Sequence, residues 1–358
     1  MTFSLDLSGA ALPILRALPP ETAHRLTLKA LAMGLGPSSV SESDPKLAQT
    51  LWGLRFENPV GIAAGFDKNA EAPLALLRLG AGFVEVGAVT PRPQAGNPQP
   101  RLFRLPEDRA VINRMGFNNE GLEAVRARLQ ALPRERGIIG ANLGANKDAQ
   151  DRMENYETVM RGLWGACDFF TVNVSSPNTE KLRDLQGKTA LSALLHRVVT
   201  ARNELAAGVE TPPPILLKVA PDLSEAEIAD VAEVCLATGV DGVVATNTTI
   251  SRPESLQSGH ASEKGGLSGA PVFERSTEVL RALYRRTEGR VPMIGVGGID
   301  GPDSAYAKIR AGASLLQLYT ALVYQGPSLI GRTVAGLSER LERDGFSHLK
   351  DAVGVDAS

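Results

Sequence analysis

From residue 58 onward the chain repeats one unit: a short apolar run that does not alternate, then an amphipathic stretch. The apolar runs are NPVGIAAG, GFVEVGAV, GIIGANLG, DFFTVNVS, PILLKVAP, DGVVATN, PMIGVGG and SLLQLYT. Their Val, Ile, Leu, Ala and Gly content suits strands covered on both faces, and hence a parallel sheet. Between them lie AEAPLALLRLG, EGLEAVRARLQAL, ENYETVMRGLWGAC, ALSALLHRVVTARNELAAG, SEAEIADVAEVCLATG, RSTEVLRALYRRTEG, GPDSAYAKIRAG and SLIGRTVAGLSERLERDG, all with helical spacing. Capping signals agree: Ser224 precedes Glu225 and Glu227, and Gly239 follows the last turn of that helix. Eight strand–helix pairs over about 300 residues predict a (β/α)8 TIM barrel of α/β class. The competing doubly wound sheet would bring a G-x-G-x-x-G turn, and Gly295-Val296-Gly297-Gly298 has the wrong spacing for it.

Composition narrows the setting. At 358 residues the chain fits one barrel with an appendage. A net charge of −2, with Arg and Lys scattered among acids, leaves no nucleic-acid footprint. The two cysteines, Cys167 and Cys235, form neither a metal nor a redox motif, so no metal is expected and a reducing cytosol is. No apolar run approaches the ~20 residues that span a bilayer, and the N-terminus lacks a secretory pattern.

The first forty residues stand apart from a barrel domain spanning 41–358. Leu7, Ala10, Ala11, Ile14, Leu15 and Leu18 follow helical spacing, with Pro13 able to kink the helix. After Pro19-Pro20 a second helix carries Leu28, Leu31 and Leu35 on the face of His24, and a polar linker, GPSSVSESDP, follows. Two readings stand for residues 1–40: a helical lid on the barrel bottom, or an amphipathic anchor on a membrane surface.

The chemistry gathers at the strand ends, where barrels keep their active sites. Strand one ends in Ala64-Gly65-Phe66-Asp67-Lys68 and strand three in Asn142. Strand four gives Asn173, Ser175, Ser176 and Asn178, and strand five Lys218. Strand six gives Thr246-Asn247-Thr248, strand seven Gly297-Gly298, and strand eight Tyr319-Thr320. Long loops at 90–117 and 250–272 also follow strands, the first carrying Asn113 to Phe117. A lone Asn most often serves a turn. Several converging on one mouth match the N–H and C=O edges of a cyclic imide or pyrimidine. Gly297-Gly298 beside Tyr319-Thr320 suits a phosphate, since glycine lets backbone N–H groups come close. Lys68 and Lys218 would neutralise an anionic cofactor or substrate.

The stretches AGFDKN, TPRPQAGNPQPRLFRLPEDRAVINRMGFNN, NVSSPNT, LKVAPDL, TNTT, GGLSG, GVGGI and QLYT together resemble the class 2, quinone-reducing dihydroorotate dehydrogenases, across essentially the whole chain. The resemblance implies an FMN-containing barrel that oxidises dihydroorotate to orotate in pyrimidine biosynthesis and reduces ubiquinone or another quinone. It implies flavin contacts at Ala64, Gly65, Phe66, Asp67, Lys68, Ala88, Asn142, Asn173, Lys218 and Thr246, with Gly269, Gly298, Tyr319 and Thr320 at the phosphate end. Ala88 is a departure, standing where many relatives carry Ser or Thr. Dihydroorotate would be held by Lys68, Asn113, Arg114, Met115, Gly116, Phe117, Asn173, Asn178, Asn247 and Thr248. The catalytic base would be Ser176, and His24, Arg104 and Tyr319 would serve the quinone. A serine at the base and N-terminal helices both separate this class from its soluble, cysteine-bearing relatives. The implied setting is a monomer on the cytoplasmic face of the cell membrane.

A serine hydroxyl is a weak base in water, so the site must help it. Lys68 would draw charge from the substrate and acidify C5–H, while a water leads the proton from Ser176 past Thr179 and Phe117. Adjacent strand residues face opposite ways, so only one of Ser175 and Ser176 serves. Two other readings of the residues are a colourless barrel isomerase or synthase acting on a phosphorylated metabolite, and a membrane-surface scaffold without catalysis.

Overall fold

Two helices, α1 (Leu7–Ala17) and α2 (Pro20–Ala32), open the chain, followed by a hairpin of β1 (Gln49–Leu51) and β2 (Leu54–Phe56). The repeat then begins with β3 (Val60–Ile62), α3 (Pro73–Arg78) and β4 (Phe83–Val89). An excursion of β5 (Leu102–Leu105) and β6 (Ala110–Asn113) precedes α4 (Leu122–Gln130). Next come β7 (Ile138–Leu143), α5 (Arg152–Gly162), β8 (Phe169–Asn173), α6 (Lys188–Leu205), β9 (Ile215–Val219), α7 (Glu225–Thr238) and β10 (Gly242–Ala245). After β11 (Gly266–Gly269) follow α8 (Phe273–Arg286), β12 (Met293–Val296), α9 (Pro302–Arg310) and β13 (Ala313–Leu318). Helices α10 (Thr320–Gln325), α11 (Ser328–Arg343) and α12 (Leu349–Ala352) complete the chain. This computed structural model describes residues 7–37, 44–133, 135–179 and 182–357, with side chains from residue 12. The expected domain boundary at residue 40 lies outside them.

Strands β3, β4, β7, β8, β9, β10, β12 and β13 close into one parallel barrel, the eight apolar runs in their expected places. Both faces of each strand are buried, which is why the runs do not alternate. Outward residues such as Val84, Val86, Phe170, Val172, Leu217 and Val219 join the main core beneath the helices. Inward residues form layers. The lowest holds Phe83, Phe169, Leu216, Val244, Ile294 and Leu315. Two positions further along their strands stand Glu85, Thr171, Lys218 and Gln317, all buried, so the second layer is polar.

Large rings in the lowest layer need glycines opposite them. A Cβ on Gly140 would lie 2.1 Å from the Phe169 ring, and one on Gly61 2.5 Å from that of Phe83. We expect Gly140→Ala to cost about 1–3 kcal/mol by overpacking, read as a lower urea midpoint at unchanged slope. Gly259→Ala, with open space at its Cβ, is the control and should stay within about 0.5 kcal/mol.

The β1–β2 hairpin plugs the floor, and the sequence reading placed no element there. Its turn residues Trp52 and Gly53 have φ of 55° and 77°, the twist that suits a two-residue hairpin. Trp52 Nε1 donates to Asp241 O at 2.7 Å, and Phe56 meets Phe83 edge-on at 5.5 Å. The N-terminal helices therefore do not sit at the bottom, as one reading had it, but at the opposite end, where the strands finish. His24 Nε2 donates to Phe66 O at 2.7 Å, and Arg101 pairs with Glu21 at 2.7 Å. Helix α2 stops before Leu35: Gly34, at φ 79°, turns the chain so that Leu35 N–H reaches Ala30 O at 2.9 Å. Leu35 consequently leaves the face shared by Leu28 and Leu31.

Candidate active site

Between the polar layer and the N-terminal helices lies a cavity of 1590 Å³. Its base is a ladder of amides. Asn142 Nδ2 donates to Glu85 Oε1 at 2.6 Å, and Asn173 Nδ2 donates to Asn142 Oδ1 at 2.8 Å. Asn173 Oδ1 accepts from Ser175 Oγ at 3.1 Å and from Asn247 Nδ2 at 3.4 Å. The two serines separate as their alternation requires. Ser175 is fully buried and also accepts from Asn247 at 3.0 Å, whereas Ser176 lines the cavity, with Asn178 N–H 3.4 Å from its Oγ.

Two lysines border the same space. Lys68 Nζ donates to Gly65 O at 2.5 Å; removal from water pulls its pKa down to about 8, partly opposed by Glu21. Burial also lowers the pKa of Lys218, against the pull of Glu85, and its ammonium has no hydrogen-bond partner among the described residues. Gln317 lines the cavity with its Oε1 unpartnered. Around them, Asn113 accepts from Asn178 Nδ2 at 3.1 Å, and Met115, Gly116, Phe117 and Thr248 complete the wall.

At the far end, glycines bring three chain segments together. Gly269, Gly297 and Gly298 have φ of 100°, 110° and 73°. A Cβ on Gly298 would stand 2.7 Å from the backbone nitrogen of Phe273, at the N-terminus of α8. Thr320 Oγ1 donates to Ser268 Oγ at 2.8 Å beside them. Backbone N–H groups, a helix N-terminus and hydroxyls form an anion cradle. A phosphate-bearing, planar, polar-edged cofactor fits this chemistry: the cradle would take its phosphate, and Lys218 would meet its polar edge. Ala64, Gly65, Phe66, Ala88 and Thr246 line the space between.

Toward the helices the wall turns apolar. His24 and Tyr319 meet edge-on, ring centres 6.2 Å apart. Because Phe66 O can only accept, His24 Nε2 carries the proton and Nδ1 keeps a lone pair, 3.3 Å from Tyr319 Oη. Burial and the charge of Lys68 bring the His24 pKa down to about 3, so the ring is neutral. Arg104 donates to Arg16 O and Leu18 O at 2.9 Å and to Leu15 O at 3.2 Å, capping the end of α1. Ile14, Leu26, Met33 and Leu35 are 68%, 46%, 70% and 72% exposed, four of the seven exposed large apolar side chains among the described residues. No described helix is long and apolar enough to cross a membrane.

Two expected site residues face elsewhere. Asp67 turns away from the cavity, its carboxylate accepting from Glu71 N at 2.9 Å and Ala72 N at 2.8 Å. Arg114 lies over the Phe103 ring at 4.5 Å and pairs with Glu263 at 2.6 Å. The other residues expected to bind cofactor, substrate or quinone all border the cavity, whereas Thr179, expected on the proton path, is buried outside its lining. Sequence reading missed Glu85 and Gln317, although a charge or amide inside a doubly covered strand was a usable signal. It also missed Arg183, which donates to Ser175 O, Asp222 and Thr248 O and ties three loops together; nothing in its own segment announces that.

A family model described as dihydroorotate dehydrogenase matches residues 46–341. The dihydroorotate dehydrogenase (quinone) of Parvibaculum lavamentivorans is 56% identical over 355 residues, covering 99% of this chain and 100% of that one. That of Cereibacter sphaeroides is 57% identical over 349 residues, covering 98% and 97%. Among solved structures, DHODH in complex with ferulenol from Eimeria tenella superposes with a TM-score of 0.92 at 40% identity, covering 98% of this chain and 99% of that one.

Proposed function

The chain belongs to the dihydroorotate dehydrogenase family, and from that premise we propose that it oxidises (S)-dihydroorotate to orotate in pyrimidine biosynthesis, with FMN as hydride acceptor and ubiquinone or another membrane quinone as final acceptor. It is an oxidoreductase. The observation that carries the reading is the meeting of Lys68, Asn113, Asn173, Ser176, Asn178 and Asn247, far apart in sequence, around one cavity.

When bound, the flavin supplies the acceptor for the hydride leaving substrate C6. The chain's own residues do the rest. Amides of Asn113, Asn173, Asn178 and Asn247 match the donor and acceptor edges of the pyrimidine ring. Lys68 faces the anionic substrate, and its charge makes C5–H easier to remove. Ser176 Oγ takes that proton as the C5–C6 double bond forms while its own hydroxyl proton passes to a solvent water, and the Asn178 N–H beside Oγ steadies the negative charge that this departure leaves. Gly269, Gly298 and Thr320 would hold the cofactor's phosphate.

The same reading makes α1 and α2 the quinone route and the membrane contact. Ile14, Leu26, Met33 and Leu35 would enter the lipid interface at the cytoplasmic face of the cell membrane, and exposed Arg16, Arg25 and Lys29 would meet anionic headgroups. His24, Arg104 and Tyr319 would border the inner end. The neutral, Nε2-protonated His24 offers a quinone only a lone pair, itself shared with Tyr319.

The test is an absorbance spectrum of purified protein. A yellow protein that bleaches with dihydroorotate and recolours with quinone supports the reading; a colourless one that takes up no FMN sinks it. A pH profile gives a second check. The Lys68 ammonium binds the anion and is lost as pH rises through about 8. Expected is a fall in kcat/KM for dihydroorotate above that pH, with kcat flat because bound carboxylate holds the proton on Lys68. Lys68→Met should abolish the inflection.

A further inference from the structure

The barrel interior holds one carboxylate among its inward residues, Glu85 on β4, fully buried beneath the cavity. It accepts at both oxygens, from Asn142 Nδ2 on β7 at 2.6 Å and from Gln317 Nε2 on β13. The Lys218 ammonium of β9 feels the same charge through the interior without a hydrogen bond of its own among the described residues. Burying a carboxylate this deeply is costly, and two charge-assisted hydrogen bonds with a nearby cation offset the cost.

An amide has a direction, and here a group that can only accept stands at the root. Because Asn142 gives its Nδ2 to Glu85, its Oδ1 faces upward and accepts from Asn173. Asn173 must then present its own Oδ1 to Ser175 and Asn247. Asn247, having donated downward, leaves its Oδ1 to Thr248 N–H at 2.8 Å. On the other side, Gln317 donates to Glu85, and its Oε1 stays buried with no hydrogen-bond partner among the described residues.

We propose that Glu85 is the positioning residue of this site: it fixes the direction of every amide from Asn142 to Asn247 and of Gln317, and it sets a negative charge beneath the flavin against Lys218. The proposal rests on the flavin reading above. Two separable effects follow. The amide order governs how well the pyrimidine ring is held. The charge opposes placing electrons on the bound ring, so its removal leaves Lys218 uncompensated and raises the midpoint potential.

The experiment compares the unmodified holoprotein with Glu85→Gln and Glu85→Asp by spectroelectrochemical titration, orotate titration of the flavin spectrum, and rapid mixing of each half-reaction. Glu85→Gln removes the charge and can donate as well as accept, so the ladder loses its fixed direction. Its midpoint potential should rise, its orotate binding weaken about tenfold, and its reoxidation by quinone slow. Glu85→Asp keeps the charge but falls short of Asn142 and Gln317: orotate binding weakens while the potential holds. An unmodified protein that takes up no flavin overturns the functional reading and this proposal with it. A flavin-loaded Gln variant matching the unmodified protein in potential and orotate affinity overturns the proposal alone. Should the Gln variant fail to fold, the Asp variant decides: undiminished orotate affinity overturns the proposal, and weakened affinity at unchanged potential supports it.

Discussion

Ser176→Ala should slow reduction of the bound cofactor by dihydroorotate about 10²–10⁴-fold, while quinone reoxidises chemically reduced protein at the unmodified rate. The serine faces the cavity and has one side-chain hydrogen bond among the described residues, a long one from Asn178 N–H, so truncation should leave the fold and the amide ladder in place. Orotate should still perturb the flavin spectrum with near-unchanged affinity. Ser175→Ala is the informative neighbour. That hydroxyl joins Asn173 to Asn247, so its loss should weaken orotate binding without a comparable fall in the rate of bleaching at saturation. Stopped-flow traces separate the two, and a Ser176→Ala protein with ordinary bleaching rates near neutral pH would remove the base assignment.

Deleting residues 1–36 should have the opposite selectivity. Dihydroorotate with a soluble dye as acceptor should turn over normally, while ubiquinone reduction falls about 10²-fold or more through loss of positioning. Binding to anionic vesicles should disappear. The deletion strips the covering from one side of the mouth: Glu21 leaves Arg101, three carbonyl acceptors leave Arg104, and Leu28 and Leu31 leave the main core. A gentler variant, Ile14→Glu with Met33→Glu, alters only exposed positions. It should keep quinone reduction with a short-chain analogue in solution yet lose vesicle flotation. Unchanged long-chain quinone kinetics in the deletion would end the assignment of α1 and α2 as the quinone route.

The barrel was legible because each of its strands is covered twice, leaving uninterrupted apolar runs that only helices separate. The cavity was legible because strand ends converge by topology: Asn142, Asn173, Lys218, Thr246 and Tyr319 could be placed without knowing a single contact. What stayed hidden depends on direction and on distant partners. Asp67 and Arg114 sit among lining residues in sequence, yet one caps the turn before α3 and the other crosses Phe103 to Glu263. Strands of three residues around Trp52 and Gly53 are too short for periodicity to register. The docking side of α1 and α2 was ambiguous because it is settled by Phe66 O and Arg104, more than forty residues away. Glu85 and Gln317 were visible as letters but masked by the apolar runs around them.

The bond from His24 to Phe66 O carries a mechanical consequence. The helix pair whose outer face would touch lipid is fastened, by its inner face, to the loop that walls the reaction chamber. Tugging on one would then shift the other. A detergent micelle would grip those four apolar side chains with a different curvature and lateral pressure than a bilayer would. Rate constants gathered in micelles and in vesicles would then describe one catalyst under two tensions, and the lipid would belong among the components that tune it.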